Sequence, residues 1–223
     1  MEYSQHGIYI EDARLTAYAE NAARSVRVDG LISGKGTAKT VHEDLRRLRS
    51  AHSALAQKAR DNPVNQAQEW LMDNWYLAVR EGQDACDAFR HSKRLHTAGK
   101  DTRIFTLATT LLRAGVGEVT MERCELFLDG FQQVSPLSRE ELGLFVPALI
   151  GAAVHALAEL YQDAAADGEY AGKLFTTLRL LGTLDLSALL ERQSAVEQIL
   201  CGDPAGVYPH MSETTRDAYR RKV

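Results

Sequence analysis

The amino-acid sequence predicts an all-α protein, a multi-helix bundle of about eight to nine helices with no sheet. Apolar residues recur three and four positions apart in successive segments, which is the period of one helix face. Thr40/Glu43 and Ser138/Glu141 have capping-box spacing ahead of apolar runs, where each side chain satisfies a backbone amide at the other's position. No stretch of useful length alternates apolar and polar residues, and no fixed period marks a repeat array.

Glu11 to Val28 forms the first helix, with Leu15, Tyr18, Ala22 and Val26 on one face, and Asp29-Gly30 ends it. Gly30 to Thr37 then reads as a flexible connector. It contains Gly34-Lys35-Gly36-Thr37, which invites comparison with a phosphate-binding loop. That loop requires a preceding strand, a longer gap before its Gly-Lys pair and a Ser or Thr directly after the Lys. Here Gly36 follows Lys35, and nucleotide binding is set aside. The Thr40 box starts the next helix, whose stripe Val41, Leu45, Leu48, His52, Leu55 and Ala59 runs to Asp61-Asn62-Pro63.

A long helix from Pro63 to about Leu95 turns Ala67, Trp70, Leu71, Trp75, Ala78, Ala85 and Phe89 inward. A shorter one spans Asp101 to Arg113 and is broken by Gly115 and Gly117. Met121, Cys124, Phe127, Leu128, Phe131 and Val134 make a further stripe, closed by Ser135-Pro136. After the Ser138 box, Leu142 to Leu160 is the central helix; Pro147 kinks it unless regular helix begins only near residue 145. Tyr170 to Leu181 and Leu186 to Leu200 complete the bundle, with Gly202 placed for a left-handed cap. The expected organisation is a helix and glycine linker over 1–39, a bundle over 40–202, and over 203–223 a connector with the start of a basic helix leading out.

Composition narrows the function. With 45% hydrophobic and 25% charged residues, the 223-residue chain has globular character. Its 26 basic and 30 acidic residues give no global positive field, which removes nucleic acid as the expected partner. Cys86, Cys124 and Cys201 form no disulfide framework or CxxC pair, consistent with a reducing compartment. Met1 to Ile10 lacks a signal-peptide pattern. Leu144 to Ala158, interrupted by Pro147 and His155, is shorter than the roughly 20 residues a bilayer requires, so it reads as a buried helix and no direct membrane span is expected.

Chemistry-bearing patterns are sparse. Asp61, Asp73, Glu81, Asp84, Asp87, Glu140 and Glu141 offer carboxylates, but as helix caps and solvated faces. A small carbohydrate-active enzyme would need two of them facing each other across a cleft. His91 and His96 lie on different helix faces, no HExxH or G-x-S-x-G occurs, and Cys124 sits on an apolar stripe. No catalytic, cofactor-binding or metal-binding residue is assigned, and no cofactor is expected.

Two stretches concentrate unusual residues. Trp70, Asp73, Asn74, Trp75 and Tyr76 crowd two helical turns, as packing aromatics or as a protein- or carbohydrate-binding surface of a freestanding module. Asp203-Pro204-Ala205-Gly206-Val207-Tyr208-Pro209-His210-Met211 is a rigid connector, followed by a helix start at Ser212 that carries Arg216, Tyr219 and Arg220. Asp203, Gly206, Tyr208, Met211, Arg216, Tyr219 and Arg220 are the candidate docking residues there.

The same stretches carry a family resemblance. Gln68-Glu-Trp-Leu-Met-Asp-Asn-Trp75 resembles the A-E-W-L-L-D-N-F segment of the cyclic β-1,2-glucan synthases. Phe131-Gln-Gln-Val-Ser-Pro-Leu-Ser-Arg-Glu-Glu-Leu142 is similar to their Y-Q-x-x-x-P-L-T-x-x-E-L-W segment, with Gly143 in place of Trp. Asp203 to Arg220 resembles D-P-A-G-V-Y-P-x-M-x-x-x-T-R-D-x-Y-R. The resemblance covers most of residues 40–222 and implies the region preceding the membrane helices of a large inner-membrane enzyme that makes β-1,2-glucan from UDP-glucose and carries a phosphorylase-like C-terminal domain. It implies no catalytic residue in this chain. The implied role is a non-catalytic cytosolic scaffold or regulatory domain at the inner face of the inner membrane, partnered by the glycosyltransferase and membrane domains of the same polypeptide. Arg216, Arg220, Arg221 and Lys222 would then flank a following membrane segment on its cytoplasmic side.

Overall fold

A two-stranded hairpin, β1 (Tyr3–Ser4) and β2 (Gly7–Ile8), leads into helix α1 (Asp12–Ser25) and strand β3 (Val28–Ile32) in the structure, a computed structural model that describes residues 3–59, 63–162, 166–184, 189, 192–193 and 195–220. The long helices α2 (Lys35–Lys58) and α3 (Gln66–His91) follow, then strands β4 (Leu95–Ala98) and β5 (Asp101–Thr102). Helices α4 (Arg103–Ala114), α5 (Met121–Val134), α6 (Arg139–Gly143), α7 (Phe145–Leu160) and α8 (Gly168–Leu181) build the rest of the bundle. Helix α9 (Ala195–Cys201), a 3₁₀ turn at Tyr208–His210 and α10 (Glu213–Arg220) end the described chain.

Helix α7 is the hub because it is apolar on nearly every side: Ala148, Leu149, Ala152, Ala153, Val154 and Leu157 are all buried. A helix without a polar face must be surrounded, and α2, α3, α4 and α8 pack on it. Leu144 separates α6 from α7, so the Ser138/Glu141 capping box closes the short α6 and Pro147 falls in the first turn of α7. There its missing amide costs no helical hydrogen bond.

Helix α1 packs against α5 at close range. A Cβ at Gly130 of α5 would run into the Thr16 carbonyl, and the Thr16 hydroxyl donates to Leu126 O at 3.2 Å. The buried Arg123 guanidinium fastens the same junction, donating to Ile10 O at 3.0 Å and Ala114 O at 2.9 Å and pairing with Asp12.

The expectation of no sheet is corrected. Strands β3, β4 and β5 form a three-stranded antiparallel sheet in that order, with Leu31 opposite His96, Ile32 opposite Leu95 and Thr97 opposite Thr102. Of the stretch expected as a flexible glycine connector, residues 30–32 belong to β3 and residues 35–37 to the first turn of α2, with only Ser33 and Gly34 between them. Gly34 admits this turn: a Cβ there would overlap the Phe89 carbonyl, and its amide donates to Ser92 O at 3.0 Å. α2 therefore begins at Lys35, ahead of the Thr40 box, and residue 39 lies inside it. The Thr40 hydroxyl donates back to Gly36 O at 3.3 Å, a bond within the helix. α3 starts on a different capping box, Asn65 with Gln68, and stops at His91 because Leu95–Ala98 is extended. The expected helix stop at Asp61-Asn62 and helix start near Leu186 lie outside the described residues.

Candidate functional site

The Trp70–Tyr76 residues diverge around α3. The Trp70 indole lies against Gly172 and stacks toward Phe175 of α8, with ring centroids 6.4 Å apart. Asn74 is buried beside it; its amide donates to Trp70 O at 3.0 Å and its carbonyl accepts from Arg179 at 2.7 Å. Trp75 turns to α2, where it stacks on His52 at 5.2 Å. Asp73 and Tyr76 face outward, Tyr76 at 62% exposure. Helical geometry explains the divergence, since neighbours in sequence project about 100° apart. The stretch ties α3 to two neighbouring helices instead of presenting one aromatic platform.

The C-terminal segment closes on itself. Asp203 caps a turn by accepting from Ala205 N at 3.1 Å, and Gly206 takes φ +64°, a left-handed conformation natural to glycine. That turn delivers Tyr208 into the interior, where its hydroxyl donates to the buried Glu197 of α9 at 2.8 Å. Arg216 of α10 also pairs with Glu197, and its guanidinium lies 5.5 Å from the Tyr208 ring centroid. Those contacts raise the Arg216 pKa further: the hydrogen bond it donates to Glu197 first, then that with Tyr208. Tyr219 meets Tyr208 edge-on, with centroids 6.3 Å apart, and Met211 is half-buried. The side chain of Arg220, and Arg221 and Lys222, lie outside the described residues.

A third polar knot sits in the Phe131–Leu142 stretch. Arg103 at the start of α4 forks onto Glu141, Nε to Oε1 at 2.9 Å and Nη2 to Oε2 at 2.5 Å, and also donates to Ser135 Oγ at 2.8 Å and Pro136 O at 3.1 Å. The Nδ1 of His96 lies 3.0 Å from Glu141 Oε2. Burial pushes the Glu141 carboxyl up, but the hydrogen bonds from Arg103, Ser138 and His96 outweigh it and hold the group below its ordinary range. Gln132 accepts from Leu137 N at 2.5 Å and donates to Gln193 O, fixing the loop between α5 and α6. Comparison with protein-family models finds no match, and comparison with curated proteins finds no relative.

A cleft of about 460 Å³ lies between α4, α7, the start of α8 and the N-terminal hairpin. Its polar lining includes His6, Arg113, His155, Glu159 and Asp167. His6 lies flat on Tyr170, with centroids 3.9 Å apart and planes 1° apart, and its Nε2 is 3.6 Å from Asp167. Burial lowers the His6 pKa against the opposing pull of Asp167. His155 behaves oppositely: its hydrogen bond to Asp44, 2.8 Å away on α2, raises its pKa against desolvation. Each histidine is thus committed to a carboxylate across an element junction. The sequence contained a signal for the second pair, because Asp44 sits beside Leu45 on the apolar stripe of α2, where a carboxylate requires a partner.

Of the carboxylates, Glu81 is buried and pairs with Arg80, Asp87 pairs with Arg90, and Asp61 lies outside the described residues. Burial pushes the Cys124 thiol up to about 12, which keeps it protonated. Among the described residues, no group of three or more His, Cys, Asp or Glu could hold a metal ion. No described helix is long and apolar enough to cross a membrane.

Proposed function

We propose that this chain is a non-catalytic helical scaffold or regulatory domain of a cyclic β-1,2-glucan synthase-like glycosyltransferase, working at the cytoplasmic side of the inner membrane on behalf of the transferase and membrane domains. One observation carries the reading: each segment that bears the resemblance holds elements of the fold together. Trp70 and Asn74 join α3 to α8, Glu141 joins α6 to α4 through Arg103, and Tyr208 and Arg216 join the chain's last turns to Glu197. Residues spent on interhelical knots serve architecture, which is the role the resemblance implies for this region.

In this reading the C-terminal knot, which holds α10 to Glu197 of α9, would orient the domains that follow. In the full enzyme, Arg216→Ala should reduce glucan synthesis by membranes, while the same change leaves the far-ultraviolet circular dichroism of the purified chain intact. Unchanged synthesis with Arg216→Ala and with Tyr208→Phe would sink the scaffold reading. The reading frame provides a second test: a continuation past Val223 into membrane-spanning and transferase sequence is expected, and a frame that stops there overturns the proposal.

A further inference from the structure

One end of the molecule joins exposed aliphatic residues to a cluster of cations, three of which make no ion pair among the described residues. Strand β3 is an edge strand of the sheet, and Val28 and Leu31 on it are 40% and 48% exposed. The chain passes from β3 through Gly34 into α2, and Gly34 is bonded to Ser92 at the end of α3, so the starts of α2 and of β4 lie side by side. Lys35, Lys39 and His42, on one face of α2, line a groove of about 390 Å³ together with Arg90 of α3. Lys93 and Arg94, both exposed, precede β4.

Three of the acids at this end are paired: Asp29 with Arg27 at 2.8 Å, Glu43 with Lys39 at 3.9 Å and Asp87 with Arg90. Glu140 accepts from the backbone amide of Lys93 at 2.9 Å and keeps its charge. Lys100 and Asp101, adjacent in the β4–β5 hairpin, offset each other. Lys35, Lys93 and Arg94 make no ion pair among the described residues, and they outnumber the Glu140 carboxylate, so they leave the patch positive on a chain of net charge −4.

We propose that this end is a docking surface for an anionic lipid bilayer, with Lys35, Lys93 and Arg94 at the headgroups and Val28 and Leu31 entering the interface. Excess cations beside exposed aliphatics match a surface that is charged outside and apolar beneath. Nucleic acid would meet the cations but leave the aliphatics against water, and a merely acidic protein segment would do the same. The inference stands apart from the scaffold reading, because vesicle binding is a property of the purified chain and glucan synthesis a property of the full enzyme.

The test is co-sedimentation of the purified chain with vesicles of phosphatidylcholine containing phosphatidylglycerol, and with phosphatidylcholine alone. Binding to the anionic vesicles only, weakening with added salt, is the expected result. At about fivefold in partition per cation, Lys35→Gln/Lys93→Gln/Arg94→Gln should reduce binding about a hundredfold. Leu31→Ser should weaken it several-fold with circular dichroism unchanged. No binding to anionic vesicles at low salt overturns the proposal, as does equal binding to neutral vesicles or a triple variant that binds like the native chain. Retention of full affinity by Leu31→Ser, together with displacement from vesicles by polyglutamate, overturns it in favour of an acidic protein partner.

Discussion

The buried guanidinium of Arg103 decides more than any other single side chain about how α4, α6 and the loop before α6 meet. It satisfies both Glu141 oxygens, Ser135 and the Pro136 carbonyl, and Glu141 is fully buried. Removing one partner of such a pair strands the other charge, so Arg103→Met should cost about 3–5 kcal/mol in urea denaturation. Adding Glu141→Gln to Arg103→Met should recover part of that loss, because the stranded charge disappears. His155 makes a different prediction. Its pKa is raised in the folded state, so its pairing with Asp44 stabilises fully below the unfolded value near 6.5 and fades as pH rises through the folded value. The stability advantage of the native chain over His155→Gln should therefore shrink as pH is raised from about 6 to about 8.5, measured as the gap between urea midpoints. A gap that widens with pH would contradict the assignment.

At the scale of elements, α1 and α5 approach closely, and the Thr16 carbonyl occupies the space a side chain at position 130 would take. Gly130→Ala must push the two backbones apart, and overpacking of this kind costs about 1–3 kcal/mol. Thermal denaturation of Gly130→Ala beside Gly143→Ala checks this. A Cβ at Gly143 meets nothing within 4 Å, so that variant controls for the loss of glycine flexibility. Elements were legible in the sequence in proportion to the length of their stripes. The Met121–Val134 stripe is α5 to the residue, and the Ser138 box is present with both of its bonds. The sheet was not legible, because Val28–Ile32 is an exposed edge strand of five residues and shows no inside-outside alternation to detect. The Thr40 box misled for a related reason: its spacing also occurs inside a helix, where threonine bonds back to the preceding turn.

For the whole molecule, an all-helical bundle was the natural reading, because the helices bury the core and the strands contribute little to it. The candidate site was less legible. The sequence marked the unusual residues as a set, yet which helix each one faces depends on tertiary neighbours such as Gly172, His52 and Glu197 that no local spacing reveals. The sheet that escaped detection has a topological meaning of its own. Pairing of β3 with β4 joins the residue stretches on either side of the α2–α3 hairpin, so that hairpin is a closed lobe with the strands as its clasp. Closing such a lobe has an entropic cost that helix formation within it does not. The clasp should accordingly form late in folding, once α2 and α3 have met, and the surface it carries would then exist only on the finished molecule.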